Sequence, residues 1–157
     1  MSARTLQSAA RLCEAKGLAF TPLRRQVYAL IAERDAPVGA YDLLDRLKAE
    51  RANAAPVTVY RALEFLLEAG LIHRIDALQA YAACEVHDHH DHHLHGQHES
   101  AGHGGLMLVC NSCKHVTEFE DRKLERQIER TALDHDFRMA HHLIEIRGLC
   151  GPCAARA

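Results

Sequence analysis

Two cysteine pairs, Cys110-Asn-Ser-Cys113 and Cys150-Gly-Pro-Cys153, constrain the C-terminal third of this 157-residue chain more than any other feature. A segment of that size closes only a small apolar core. Each CxxC turn lets both sulfurs of a pair face the same ion, and four thiolates from two such turns make a tetrahedral zinc site. The competing reading is a redox-active pair, which usually opens a helix that lowers the thiol pKa; neither pair is expected to do so. A structural zinc on Cys110, Cys113, Cys150 and Cys153 would add the folding free energy that so small a region lacks. No stretch approaches the roughly 18 unbroken apolar residues of a membrane span. The opening MSARTLQSAARLCEAKG has no apolar run of signal-peptide length. The expectation is a cytoplasmic protein, where thiols stay reduced and cysteines serve metal or redox chemistry.

Histidine divides the chain into three parts. There are 13 histidines. Residues 1–84 contain only His73, whereas 85–104 (EVHDHHDHHLHGQHESAGHG) hold eight of them with few apolar side chains. That middle piece cannot bury enough apolar surface to fold by itself and is expected to be a hinge. The predicted organisation is therefore a domain over 1–84, a His-rich hinge over 85–104 and a second domain over 105–157. The net charge is −2 with His neutral, without the global basic excess that a polybasic nucleic-acid tail would give. Residues 1–84 nevertheless carry eleven Lys/Arg against nine Asp/Glu, and the remainder eight against twelve. The sign of that split puts any nucleic-acid contact in the first part.

The first part reads as four helices and a hairpin. A helix from Ser2 to Lys16 ends at Gly17, a C-cap residue. Thr21-Pro22 supplies an N-cap hydroxyl followed by Pro at the first helical position, and Leu23, Val27, Leu30 and Ile31 fall on one helical face. A short helix runs from Tyr41 to Glu50 with Leu43, Leu44 and Leu47 inward. The next spans Val57 to Ala69 with Val59, Leu63, Leu66 and Leu67 inward, and Gly70 ends it. A hairpin follows, over 71–76 and 79–84. Two short helices and then a hairpin outline a winged helix-turn-helix, whose second helix enters the major groove. The last part reads β-β-α-β: strands 106–110 and 115–119, a helix over 121–135 with Leu124, Ile128 and Ala132 inward, and a strand over 141–148. The predicted fold class is α+β, an N-terminal winged helix-turn-helix domain plus a small C-terminal α/β dimerisation domain with a three-stranded sheet and a helix. The small size and an exposed edge or face favour dimerisation.

A second metal site is expected from residues that flank the hinge. His73 on the first hairpin strand, Cys84 at the end of the second, His103 before the strand leading to Cys110, and Glu118 after the CxxC turn offer N, S, N and O donors. The thiolate suits zinc better than iron or manganese. The run His87–His98 invites accessory, weaker zinc binding, imidazole being the commonest metal ligand. Without further context, a lone His on a strand such as His73 is more often a structural residue, and a lone Cys such as Cys84 more often core.

The segments FTPLRRQVYALI, AYDLLDRLK and APVTVYRALEFLLEAGLIHR, with Cys110-x-x-Cys113 and GLCGPC, resemble the ferric uptake regulator family of bacterial metal sensors, most closely its zinc uptake regulator branch. The resemblance spans nearly the whole chain. It implies a winged-helix domain, a hinge, a dimerisation domain and zinc as corepressor. His73, Cys84, His103 and Glu118 match the sensing site and the four cysteines the structural site, implying two zinc ions per chain. Tyr60 and Arg61 match a base-reading pair and Tyr41 a backbone-contacting tyrosine. The hinge is longer and richer in His than usual, so His98 competes with His103 as third sensing ligand. Glu125 and His142 resemble positions of a further metal site in some relatives.

The helix pattern leaves Thr58, Arg61 and Glu64 outward. Arg61 would donate two hydrogen bonds to guanine, Tyr60 would pack on a thymine methyl, and Thr58 and Tyr41 would contact phosphates. The expected function is a zinc-responsive repressor of zinc-uptake genes that binds a palindromic double-stranded DNA operator as a homodimer. Neither a membrane nor a small-molecule substrate is expected as a partner. Alternatives are a sensor of iron, manganese or peroxide in the same family, or a His-rich zinc chaperone or store. An enzyme is not expected, because a catalytic zinc keeps an open coordination position.

Overall fold

The structure, a computed structural model, describes residues 3–34, 36–84, 105–140 and 142–157. They fall into two units, Met1–His93 and Leu94–Ala157. In the first unit, α1 (Ala3–Ala15), α2 (Pro22–Ala32), α3 (Ala40–Glu50) and α4 (Pro56–Glu68) precede a hairpin of β2 (Ile72–Ile75) and β3 (Ala80–Ala83). The Thr21 hydroxyl accepts a bond from the Arg24 amide, and Pro22 opens α2. Gly17 and Gly70 both adopt positive φ. Beyond α4, the Gly70 amide bonds to the Leu67 carbonyl and the Leu71 amide to that of Leu66, each at 2.9 Å. This is the paired pattern of a glycine-terminated helix end, and it turns the chain directly into β2.

A strand not anticipated from the sequence, β1 (Val38–Gly39), pairs antiparallel with β3 and gives the order β1-β3-β2. Two residues are too short to register as an alternating pattern. The core of this unit is apolar and continuous: Val27, Leu43, Leu47, Leu66 and Leu71 are fully buried, each contributing about 1.5–3 kcal/mol relative to exposure. Along α4 the buried positions are Val59, Ala62, Leu63, Phe65 and Leu66. Leu67, expected inward, packs against the core but is only half-buried, at the edge of the buried face.

The second unit contains β4 (Gly105–Cys110), β5 (Val116–Phe119), α5 (Arg122–Asp134), β6 (Leu143–Gly148) and the single-turn α6 (Gly151–Ala154). Its sheet has the order β5-β4-β6, with β5 antiparallel and β6 parallel to β4. The Asp121 carboxylate caps α5, accepting from the amides of Lys123 and Leu124. Leu106, Met107 and Val109 of the central strand are buried. The sequence pattern put Leu124, Ile128 and Ala132 of α5 inward, yet α5 has no buried residue; those three are half-buried. Their periodicity marks an apolar face that the described residues leave partly open. No helix among the described residues is long and apolar enough to cross a membrane.

Candidate metal centres and nucleic-acid interface

The four cysteines of the second unit converge. Cys110 ends β4, and Cys113 closes a turn in which the Lys114 amide returns to the Cys110 carbonyl. Lys114 adopts φ +63, which the reversal requires. Cys150 is the N-cap of α6 and Cys153 lies within it. The second pair therefore does open a helix, contrary to expectation, although only one turn long. It does not stand apart as a redox pair, because the four sulfurs lie within 4.8 Å of one another and all four cysteines are free thiols.

Sulfur spacing tests the fit to a metal. Cys113 Sγ and Cys150 Sγ are 3.7 Å apart. Zn–S bonds of about 2.3 Å in a tetrahedron require S···S edges of about 3.8 Å. The Cys150 amide donates to Cys110 Sγ at 3.4 Å. That N–H, followed by that of Cys113, holds the Cys110 thiol down at about 5. Cys150 goes the other way. The Cys153 amide pulls it down, but contacts with the Cys153, Cys110 and Cys113 thiols and burial outweigh that and push it up to about 12. One thiolate forms easily in this cluster and another beside it is opposed, the electrostatics of a site completed by a cation.

In the first unit, His73 and Cys84 form a donor pair on the wing. His73 lies on β2 opposite Ala82. The Cys84 amide closes the hairpin by donating to the Leu71 carbonyl at 3.0 Å. Cys84 is buried and His73 half-buried, with their ligand atoms within 4.8 Å. Glu118, the expected oxygen donor, is half-buried on β5 opposite Met107. His103, His98 and the run His87–His98 lie outside the described residues. Glu125 occupies the first turn of α5. The His142 Nε2 atom, just before β6, is buried without a hydrogen-bond partner.

The helix-turn-helix presents a mixed polar and apolar stripe. Tyr41, at the start of α3, is 75% exposed. On α4, Tyr60 is 44% exposed, and Arg61 and Glu64 are also exposed. Thr58, expected outward, is half-buried. Val57 in the first turn is 55% exposed, and sequence reasoning missed it. Its spacing to Tyr60 and Arg61, i+3 and i+4, carried the signal, but a valine counts toward a core until a structure shows otherwise.

Lys16, just past α1, and Arg24 of α2 contact α4 and its C-terminal end. Lys16 Nζ donates to the Ala69 carbonyl at 2.9 Å. The Arg24 guanidinium lies 3.6 Å over the Phe65 ring and donates to the Ala19 carbonyl.

A winged helix-turn-helix unit and a separate small sheet carrying a four-cysteine centre define the class of protein. The profile of the ferric uptake regulator family matches residues 15–147. The chain belongs to that family. It is 33% identical over 148 residues to the zinc uptake regulation protein of Escherichia coli (strain K12), covering 94% of this chain and 80% of the relative. Among solved structures it is similar to a zinc uptake regulator complexed with zinc and DNA, with a TM-score of 0.81 and 32% identity over 96% of this chain and 93% of that one. It is also similar to holo XcZur, with a TM-score of 0.79 and 38% identity over 96% of each chain.

Proposed function

We propose that the chain is a zinc-responsive transcriptional repressor that binds a palindromic DNA operator as a homodimer in the cytoplasm and acts by binding rather than catalysis. The observation that carries this reading is the His73–Cys84 donor pair on the wing of a unit that presents Tyr60 and Arg61 on its recognition helix. A thiolate and an imidazole favour zinc over iron or manganese, and the names of the similar proteins agree.

Two zinc ions per chain have separate tasks. Cys110, Cys113, Cys150 and Cys153 hold a structural ion whose binding free energy contributes to folding of the second unit. His73 and Cys84, with Glu118 and His103, hold a regulatory ion. Ligands drawn from both sides of segment 85–104 restrain the separation of the two recognition helices in the dimer. That separation has to match about one helical turn of DNA, roughly 34–36 Å. Zinc selects the matching arrangement, and affinity rises with the fraction of protein that adopts it. Glu125 and His142 are candidate ligands of a further site, as the resemblance implies.

Dimerisation is supported by what the second unit leaves open. Leu133 and Phe137 are exposed. An open groove of about 530 Å³ is lined by Ile128, Ala132 and Phe137 among others. A second copy of the chain covers this face. On the DNA side, Arg61 donates to guanine O6 and N7, Tyr60 packs against a thymine methyl, and Tyr41 and Thr58 contact phosphates.

Cys84→Ser tests the regulatory site. The variant is expected to keep one tightly bound zinc per chain and lose zinc-dependent operator binding. Full zinc-dependent binding by this variant would overturn the assignment.

A further inference from the structure

The first turn of α4 carries a residue that neither folding nor the contacts assigned above account for. Val57 is 55% exposed and takes no part in the apolar core. A β-branched residue is also a poorer helix former than alanine, so Val57 does not help α4 form. It follows Pro56, the first residue of the helix, and shares the outward stripe with Tyr60 and Arg61. In helix-turn-helix proteins the N-terminal residues of the recognition helix reach the base edges.

We infer that Val57 determines specificity, packing its two methyl groups on the C5 methyl of a thymine in the major groove. The inference rests on the DNA-binding reading proposed above. The chemistry follows from the groove. Thymine offers the apolar substituent of the major-groove code, and an aliphatic side chain with no hydrogen-bonding group distinguishes only that feature. Position follows from the helix. Val57 and Arg61 are four residues apart, about 6 Å of rise along α4. With base pairs spaced about 3.4 Å apart, the thymine lies within about two base pairs of the base that Arg61 contacts.

The test uses the full-length zinc-loaded protein and a duplex selected by the wild-type protein from random sequence. Each thymine is replaced in turn by deoxyuridine, which removes the C5 methyl and leaves every hydrogen-bonding group in place. One replacement, within two base pairs of the position whose preference Arg61→Ala relaxes, is expected to weaken wild-type binding at least threefold. Val57→Ala is expected to bind the unmodified duplex more weakly by a similar factor and to be indifferent to that replacement. If every replacement affects wild type and Val57→Ala equally, or if Val57→Ala binds as wild type does, the inference is wrong while the repressor reading stands. If the wild-type protein selects no sequence, or Arg61→Ala changes nothing, the repressor reading fails and this inference with it.

Discussion

Lys16 is expected to anchor the far end of the recognition helix. Its ammonium donates to the Ala69 carbonyl at 2.9 Å, within the turn in which Gly70 and Leu71 satisfy Leu67 and Leu66. Lys16→Met keeps most of the apolar stem and removes the charge and the donor. A hydrogen bond from a charged group contributes about 1.5–3 kcal/mol, and a cation at a helix C-terminus about 0.3–1 kcal/mol. Lys16 is an exposed residue, so water competes for the ammonium and the sum is discounted to about 1–2 kcal/mol. The assay is native-state hydrogen exchange at the amides of Gly70 and Leu71, whose bonds break when this end of α4 opens. A loss of 1–2 kcal/mol speeds exchange about 5- to 30-fold. Lys16→Arg is expected to recover most of the protection. A change below twofold in Lys16→Met, or an equal loss across the amides of α2, would refute the anchoring role.

Three further outcomes follow from the same geometry. Asp136 occupies a left-handed conformation with φ +56 just past α5, so Asp136→Gly is expected to stabilise the second unit by up to about 1 kcal/mol, read from slower exchange of the α5 amides. Cys13 is buried, and its thiol is raised above the ordinary value of 9.0 by desolvation, which nearby Lys16, Arg24 and Arg25 only partly oppose. The fold holds that proton more tightly than the unfolded chain does, so stability is intact below about pH 9 and falls as pH rises above it; denaturation curves at pH 8 and 10 are expected to differ less in Cys13→Ala than in wild type. Cys113→Ser is expected to lower bound zinc by one ion per chain and remove exchange protection from β4 and β6, measured by metal analysis and hydrogen exchange.

The elements were legible where one local rule dominated. Thr21-Pro22 announced α2, Gly70 ended α4, and the two CxxC turns marked a metal centre, each through chemistry confined to a few residues. What escaped depended on partners distant in sequence. β1 is a strand only because Val38 and Gly39 find Tyr81 and Ala80. The face of α5 read as inward because its periodicity is genuine, but periodicity does not tell whether the covering surface belongs to the same chain. Val57 and Leu67 show the same limit at the edges of α4: helical spacing assigns a stripe, and only packing decides that Val57 lies open and Leu67 half-buried. Lys16 bonding to Ala69 spans 53 residues, and no sequence pattern connects them.

The central claim is that filling the regulatory site, and not the four-cysteine site, switches on DNA binding. Zinc titrated into metal-free protein, with operator binding and bound zinc followed together, tests it directly. The account predicts that the first equivalent per chain leaves operator affinity low, and that affinity rises as the second equivalent binds and then saturates. Operator binding that is complete without metal, or after the first equivalent alone, would contradict it.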